Sequence, residues 1–362
     1  MSSSSVVILG LSVTSSWGNG HATNFRALMR AMDRRGHRVL FLERDVPWYA
    51  AHRDLPQPPY GRTELYGSVA ELDRFRDEVA SADLVMVGSY VPEGAAVGRW
   101  VAETARGIKA FYDIDTPVTL AGLEAGTCEY LDADLVPAYD VYLSFTGGPT
   151  LDVLERRYGA RRAVAFHCMV DPDAYLPAAV PPRWDLGYLG TYSDDRQPVL
   201  DGLLLEPARR RPDLRFVVAG PQYPPTIDWP ANVERIEHLG PAEHPGFYAA
   251  QRFTLNVTRA DMVRAGWSPS VRLFEAAACG VPVVSDRWEG LDTFFRDGSE
   301  IVIADTADDV LRALDGHEAH ERDSMGRAAR RRVLDGHTSE HRAATLESLT
   351  VGAPLRGRAG RL

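Results

Sequence analysis

Lysine is almost missing from this sequence. The chain has 40 basic Lys and Arg residues, and Lys109 is the only lysine among them. Chemistry that needs a lysine Schiff base therefore has a single candidate, in a poor context for that role. The sequence argues against pyridoxal phosphate as a cofactor, and it predicts no cofactor.

Cysteine and long apolar segments are also scarce. Cys128, Cys168 and Cys279 are far apart and odd in number, which fits neither a disulfide framework nor a zinc site. No apolar run approaches the roughly 20 residues needed to span a bilayer, so no transmembrane segment is expected. The first residues lack the basic segment of a signal peptide, and we expect a cytoplasmic protein.

Positively charged residues are also fewer than negatively charged ones. The net charge of -10 argues against a nucleic-acid partner or an anionic membrane surface. What remains is an ordinary globular composition, 45% hydrophobic and 25% charged. A single core rarely grows beyond about 250–300 residues, so the 362 residues favour two domains.

Strand and helix patterns alternate in the first half of the chain. Residues 6–11 form an apolar run, followed by a loop of small residues, a helical pattern and a second strand at 38–43. Further strands are predicted at 83–88, 110–115 and 141–145. The loop does not have the G-x-G-x-x-G spacing of a dinucleotide site. The segment 47–66 has no period and is predicted to be a surface excursion.

The same alternation returns after a proline-rich segment at 170–182, which is predicted to be a domain linker. We therefore predict an α/β fold of two doubly wound Rossmann-like domains that face a central cleft. The predicted units are residues 1–172, residues 183–335, and a C-terminal helix and tail at 336–362 that packs back on the first domain.

Two loops of the first half are candidates for the cleft. Asp113 and Asp115 follow a predicted strand, and we expect them to bond a polar ligand or loop amides rather than a metal ion. Gly147 and Gly148 precede a helix, where the backbone can approach a ligand closely. An ordinary strand-to-helix turn explains the second loop equally well.

Residues 266–286 form the most informative stretch. Ser268 is predicted to cap a helix that starts at Pro269, and a strand follows that helix. Ser268, Arg272 and Glu275 then share one helix face. A helix N-terminus binds phosphate, and Glu275 lies roughly 10 Å further along, which is the reach from a diphosphate to a ribose. Alternatively, Arg272 and Glu275 form a pair on a solvated face.

This stretch resembles the donor-site signature of GT-B glycosyltransferases, a glutamate and helix followed by A-x-G-x-P-V-V. The loop Gly18-Asn19-Gly20-His21 resembles their N-terminal glycine loop. Residues 186–192, 255–262 and 337–342 are similar to stretches of the CgeB-type (spore maturation protein) glycosyltransferase-like family. The resemblance covers nearly the whole chain and implies the GT-B fold.

The resemblance also implies roles for individual residues. Glu275 would bond the donor ribose, and Ser268 and Ser270 would hold the diphosphate. Arg196 would neutralise the leaving diphosphate without a metal, with Arg259 as a second candidate. The implied general base is His21, and the alternatives are that His21 bonds the diphosphate or caps the helix after Gly20. The remaining implied substrate contacts are Gly18, Asn19, Gly20, Tyr192 and Arg272.

One position departs from the family pattern. Retaining members often carry a glutamate eight positions before Glu275, and this chain has Trp267 there, near the expected sugar. The leading hypothesis is transfer of a sugar from a UDP-, GDP- or dTDP-sugar to an unidentified acceptor. A nucleotide-sugar epimerase and a non-catalytic structural protein on the same scaffold are the alternatives.

Overall fold

The first half of the chain forms a seven-stranded parallel sheet. The structure is a computed structural model that describes residues 3–18 and 20–351. In the first sheet the strands run in the order β3-β2-β1-β4-β5-β6-β7. They are β1 Ser5–Gly10, β2 Arg38–Arg44, β3 Arg62–Tyr66, β4 Leu84–Gly88, β5 Ile108–Asp113, β6 Val141–Ser144 and β7 Ala163–Ala165.

The second half forms a six-stranded parallel sheet in the order β10-β9-β8-β11-β12-β13. Its strands are β8 Trp184–Leu189, β9 Phe216–Ala219, β10 Val233–Ile236, β11 Gln251–Asn256, β12 Val283–Ser285 and β13 Val302–Ile303. In each sheet the strand order reverses at one point, between β1 and β4 and between β8 and β11. Ligands of doubly wound folds bind at such a reversal.

Helices connect the strands and cover the sheets. Among residues 3–18 and 20–351, no helix combines the length and apolar character needed to cross a membrane. The α-helices are α1 His21–Arg34, α2 Pro47–Ala50, α3 Arg76–Ser81, α4 Gly94–Thr104, α5 Thr116–Ala125, α6 Pro149–Arg156, α7 Gln197–Leu200, α8 Glu206–Arg210, α9 His244–Ala249, α10 Ala260–Ala265, α11 Val271–Ala278, α12 Leu291–Phe294, α13 Ala307–Gly316, α14 Ala319–Gly336 and α15 Ser339–Val351.

The prediction of two parallel sheets with interleaved helices is confirmed. Central strands such as β1 and β4 are buried along almost their whole length, which explains their continuous apolar runs. The prediction for residues 47–66 was wrong in part, because the segment contains α2 and the edge strand β3. Strand β3 pairs on one side only and is largely half-buried, so its polar sequence gives a weak strand signal.

A tryptophan lies where the two halves of the chain contact each other. Trp267 has a left-handed backbone (φ 41°), and its ring packs against Gly148 of the first half and Gly290 of the second. A Cβ atom at either glycine would lie 2.5 Å from that ring, so only glycine fits at both positions. The Gly147 N–H also donates to the Trp267 carbonyl at 3.0 Å. The loop after β6 is thereby fixed to the loop before α11.

The last helix returns to the first half of the chain. Helix α15 packs on α1, and Glu347 of α15 lies at the centre of a polar contact. Arg35 donates from Nε and Nη2 to the two carboxylate oxygens at 2.7 and 2.5 Å, and His37 Nε2 lies 2.7 Å from Oε1. The hydrogen bond from Arg35 is the main cause that lowers the pKa of Glu347 to about 2.

Replacement of this carboxylate tests its contribution to stability. We expect Glu347→Gln to lower the free energy of unfolding by about 1 kcal/mol at pH 7. A pKa that folding lowers from 4.5 to about 2 gives stability that is present above pH 4.5. It is lost as the pH falls towards 2, so the difference between variant and wild type should shrink over that range. Urea unfolding measured between pH 7 and 2 checks this, with exposed Glu103→Gln of α4 as the matched control. A difference that stays constant with pH would contradict the assignment.

Candidate active site

A cavity of about 480 Å³ lies between the carboxyl ends of the two sheets. Its walls come from the loops after β1, β4, β5, β8 and β11 and from the starts of α1 and α11. A second cavity of about 180 Å³ adjoins it and extends along the second half of the chain. The two cavities share Gly18, Gly20, Gly190, Thr191, Val271 and Arg272. One elongated ligand can therefore occupy both.

A buried carboxylate holds the loop after β1 in place. Glu43, at the end of β2, is fully buried and accepts hydrogen bonds from the backbone N–H groups of Val13 and Thr14 at 2.6 and 2.9 Å. These bonds satisfy loop donors that would otherwise be buried without partners. Further along this loop, Gly18 and Gly20 line both cavities, as the glycine-loop hypothesis requires. Asn19 lies outside the described residues.

His21 is the first residue of α1 and lines the larger cavity. It is buried, and its Nδ1 has no hydrogen-bond partner within the described part of the chain. Burial lowers the pKa of His21 to about 4. Its ring contacts Tyr90 edge-on, with ring centroids 5.4 Å apart. The imidazole is therefore neutral at pH 7, and the unpartnered Nδ1 faces no competing donor among those residues.

Helix α11 starts later than predicted. Its N-cap is Ser270, and the first helical residue is Val271, so the expected cap at Ser268 and start at Pro269 were wrong. The reason is a contact with the other half of the chain. The Ser268 hydroxyl lies 2.8 Å from the Thr146 hydroxyl and donates to the Gly266 carbonyl, so it is not available to cap the helix.

Arg272 connects α11 to the second sheet. It donates from Nε to the Leu189 carbonyl at 2.5 Å and from Nη1 to Asn256 Oδ1 at 2.9 Å, and it lies over the Tyr188 ring. The Ser270 hydroxyl donates to the same Asn256 oxygen at 2.7 Å. Asn256 was not predicted as a site residue. Through these bonds it fixes the helix N-terminus relative to β8 and β11.

Glu275 lines the smaller cavity and is held by two tyrosines. Tyr175 and Tyr248 donate to its two carboxylate oxygens at 2.7 and 3.0 Å. Each carboxylate oxygen can accept a further hydrogen bond. Because Arg272 and Glu275 are only 7% and 3% exposed, the alternative of a pair on a solvated face was wrong.

Three described arginines of the second half line the larger cavity, namely Arg272 and the pair Arg196 and Arg259. Arg196 and Arg259 immediately precede α7 and α10, and the Nε atom of each is buried without a hydrogen-bond partner in the described chain. Arg259 Nε forms only a loose ion pair with Asp195 at 3.6 Å. Asp115 lines the same cavity from the first half. Burial raises the pKa of Asp115, and the charges of Arg259 and Arg196 oppose that rise.

Asp113 has a different environment from Asp115. It is fully buried and accepts hydrogen bonds from Tyr142 at 2.5 Å and Thr119 at 2.8 Å. Burial raises the pKa of Asp113 to about 6. These bonds give Asp113 a role inside the first domain. No group of three His, Cys, Asp or Glu side chains suited to a metal ion occurs within the described residues.

Several candidates lie away from both cavities. Within the described chain, neither cavity is lined by Asp113, Tyr192, Gly147, Gly148, Trp267 or Ser268. The Tyr192 hydroxyl donates to Asp194 at 2.5 Å. Gly147, Gly148, Trp267 and Ser268 belong to the contact between the two halves. The sequence placed them near the cleft, but their contacts with one another direct them away from its interior.

Sequence reasoning missed four residues that hold the site together: Glu43, Tyr175, Asn256 and Tyr248. Glu43 and Asn256 give a signal, since each is a polar residue at the carboxyl end of an apolar strand. Tyr175 lies in the proline-rich linker, where no period indicates which side chains are buried. Its bond to Glu275 spans 100 residues, which a local pattern does not reveal.

Comparison with known proteins agrees with this architecture. Residues 196–348 match the family model described as glycosyl transferase-like. A comparison with curated protein sequences finds no match. Sucrose-phosphate synthase from Thermosynechococcus elongatus is 14% identical, with 96% of this chain and 98% of that chain covered and a TM-score of 0.69.

Two further solved structures are similar over comparable lengths. Anabaena HepE in complex with UDP and glucose is 12% identical, with 97% and 100% covered and a TM-score of 0.71. The catalytic domain of starch synthase IV from Arabidopsis thaliana, bound to ADP and acarbose, is 12% identical, with 97% and 99% covered and a TM-score of 0.64.

Likeness at these identities establishes the fold, and it confirms the prediction of two Rossmann-like domains in the GT-B arrangement. The narrower resemblance to the CgeB-type family stays a prediction. The chain has the GT-B fold of the glycosyltransferases, and its residues 196–348 match a glycosyl transferase-like family.

Proposed function

We propose that the protein is a glycosyltransferase that moves a sugar from a nucleotide-diphosphate donor to an acceptor hydroxyl. The observation that carries this proposal is the pair Arg196 and Arg259, which line the larger cavity beside the N-terminus of α11. Two cations and a helix N-terminus suit a diphosphate. The structures of Anabaena HepE with UDP and with UDP-glucose support a nucleotide-sugar donor.

The two cavities suit the two ends of such a donor. In this proposal the nucleoside occupies the smaller cavity, and Glu275 accepts hydrogen bonds from the ribose hydroxyls. The diphosphate lies at Ser270 and Val271, because the first N–H groups of a helix have no partner within that helix. The sugar then enters the larger cavity between the two halves of the chain.

The chemistry follows from the charges that develop. The bond from the anomeric carbon to the diphosphate oxygen breaks, and the bonding electrons leave with the nucleoside diphosphate. Arg196 and Arg259 stabilise that developing charge without a metal ion. The acceptor oxygen bonds to the anomeric carbon, and its proton passes to the neutral imidazole of His21.

The overall activity is tested with UDP-, GDP- and dTDP-sugars, each incubated with and without acceptor alcohols. Release of nucleoside diphosphate together with a glycosylated acceptor is the expected result. If an epimer of the nucleotide sugar forms without any acceptor, the protein is a nucleotide-sugar epimerase and not a transferase. If calorimetry detects no binding of UDP, GDP or dTDP, the protein has a structural role on this scaffold.

The ribose assignment is tested at Glu275. We expect Glu275→Gln to weaken binding of the preferred nucleoside diphosphate roughly ten- to a hundredfold, because a hydrogen bond to a charged group contributes about 1.5–3 kcal/mol. Isothermal titration calorimetry measures the affinity, and thermal unfolding shows whether the variant stays folded. The exposed Glu318→Gln before α14 is the control. Unchanged nucleotide affinity in Glu275→Gln would refute the assignment.

The arginine assignment is tested at Arg259. Loss of one preorganised donor to a developing charge lowers kcat roughly a hundred- to a thousandfold, and we expect Arg259→Gln and Arg196→Gln to fall in that range. Donor affinity should fall less than kcat, because the charge is greatest in the transition state. Arg264→Gln on α10, the helix that Arg259 precedes, is the control, since Arg264 is 70% exposed and pairs with Asp261. Equal rates in Arg259→Gln and Arg264→Gln would exclude Arg259 from catalysis.

The proposed base is tested by pH. With a pKa of about 4, His21 accepts a proton at any pH above that value, so kcat/KM should stay flat from about pH 7 to 5 and fall near 4. We expect His21→Gln to lower the rate of transfer roughly a hundredfold or more while donor binding persists. Steady-state rates of acceptor glycosylation across this range check both points. A wild-type rate in His21→Gln would exclude the role.

A further inference from the structure

We propose that the acceptor is an apolar, ring-containing alcohol or phenol rather than a sugar, an inference that rests on the proposed function. The first observation is the composition of the cavity wall that faces the donor site. Among the described residues, the first half of the chain lines the larger cavity with the apolar side chains of Leu11, Ile114, Phe145 and Cys168 and with the tyrosines Tyr49 and Tyr90. The second half contributes the polar groups that the donor uses.

The polar side chains of the same wall are mostly occupied. Asn24 donates to the Gly20 carbonyl and accepts from the Met169 N–H, so both ends of its amide are bonded. The Tyr90 hydroxyl interacts with Tyr130 and Asp115. Among the described side chains of this wall, the His21 imidazole and the Asp115 carboxylate are the polar groups that remain for an acceptor.

These few remaining polar groups can bind one reacting hydroxyl group of an acceptor, and the described side chains of this wall leave few partners for further hydroxyl groups. A sugar acceptor brings several hydroxyl groups, and each one buried without a partner opposes binding. An apolar ring system needs only contact area, which the aliphatic and aromatic side chains of this wall supply. The single hydroxyl of such an acceptor can then reach His21.

The second observation is a set of aromatic side chains, here called the rim, at Trp17, Trp48 and His52 in the segments that lead into the cavity lining. Trp17 and Trp48 are 41% and 53% exposed, and each stands next in sequence to a residue that lines the cavity, Gly18 or Tyr49. The Trp17 ring stacks on the His52 imidazole, with ring centroids 4.7 Å apart. His52 Nδ1 in turn lies 3.0 Å from the Trp48 carbonyl oxygen. Exposed aromatic area next to an apolar cavity indicates a binding surface.

The charges around the rim disfavour an anionic acceptor. Arg26 pairs with Asp54 at 2.8 Å, and Arg53 pairs with Asp45 at 2.6 Å. These two arginines are therefore neutralised locally, so an acceptor phosphate would find little attraction at them. A neutral acceptor fits both the rim and the wall.

With this acceptor, the transfer step forms one bond at the anomeric carbon and breaks another. The hydroxyl oxygen of the alcohol or phenol forms a bond to the anomeric carbon of the donor sugar. The bond from that carbon to the diphosphate oxygen breaks, and its electron pair leaves on the nucleoside diphosphate. The hydroxyl proton moves to the His21 imidazole.

The experiment compares 2-naphthol with methyl β-glucopyranoside as acceptors, using UDP-, GDP- and dTDP-glucose as donors. We expect kcat/KM for 2-naphthol to be at least about tenfold higher. Trp48→Ala and Trp17→Ala should raise the KM for 2-naphthol several-fold and leave kcat and nucleotide affinity unchanged. Val153→Ala is the control, because Val153 is an exposed apolar residue of α6 outside both cavities.

Direct binding separates this inference from the proposed function. Saturation-transfer NMR with 2-naphthol and with the glucoside measures acceptor binding without turnover, and Phe145→Ser should weaken the 2-naphthol signal. If the glucoside binds or reacts better, or if both tryptophan variants keep the wild-type KM, the inference is overturned while the transferase activity stands. If nucleotide sugars neither bind nor react, the proposed function fails. The 2-naphthol signal alone then shows whether the apolar wall binds a ring-containing alcohol.

Discussion

The hydrogen bonds of the buried Asn256 side chain are the interactions on which the rest of the site depends. Its Oδ1 accepts from Ser270 and Arg272 at the start of α11, and its Nδ2 donates to Ser285 at the end of the neighbouring strand. One amide therefore fixes the helix N-terminus against two strands. An amide suits this position because it offers donors and an acceptor together, and a carboxylate would leave the Ser285 contact without its donor.

The contact at Trp267 sets how the two halves of the chain meet. A glutamate here would bring a charge to the place where the ring packs on Gly148 and Gly290, and burial of an unpaired charge is unfavourable. The tryptophan instead fills the space between two glycines. The ring and the Gly147–Trp267 hydrogen bond thus give a fixed relation between the loop after β6 and the loop before α11.

The sequence predicted the sheets well because their signal is local. Buried parallel strands read as apolar runs, whereas the half-exposed edge strand β3 does not. The site was predicted in part for the same reason. Arg196 and Arg259 lie in strand-to-helix loops and Glu275 lies in α11, and the topology of the sheets brings these elements together. The Ser268 hydroxyl bonds Thr146, 122 residues away, and no local rule distinguishes such a partner from a helix cap.

The apolar wall and the neutral His21 have one physical origin. Burial of the imidazole lowers its pKa to about 4, and the same burial leaves few partners for a polar acceptor. A wall with more polar groups would bind sugar hydroxyls but would also solvate the imidazolium and raise that pKa. The proposed base, unprotonated at neutral pH, and the proposed preference for apolar acceptors are thus two consequences of one desolvated surface. The opposite wall carries Arg196 and Arg259, which in the proposed function face the charged diphosphate.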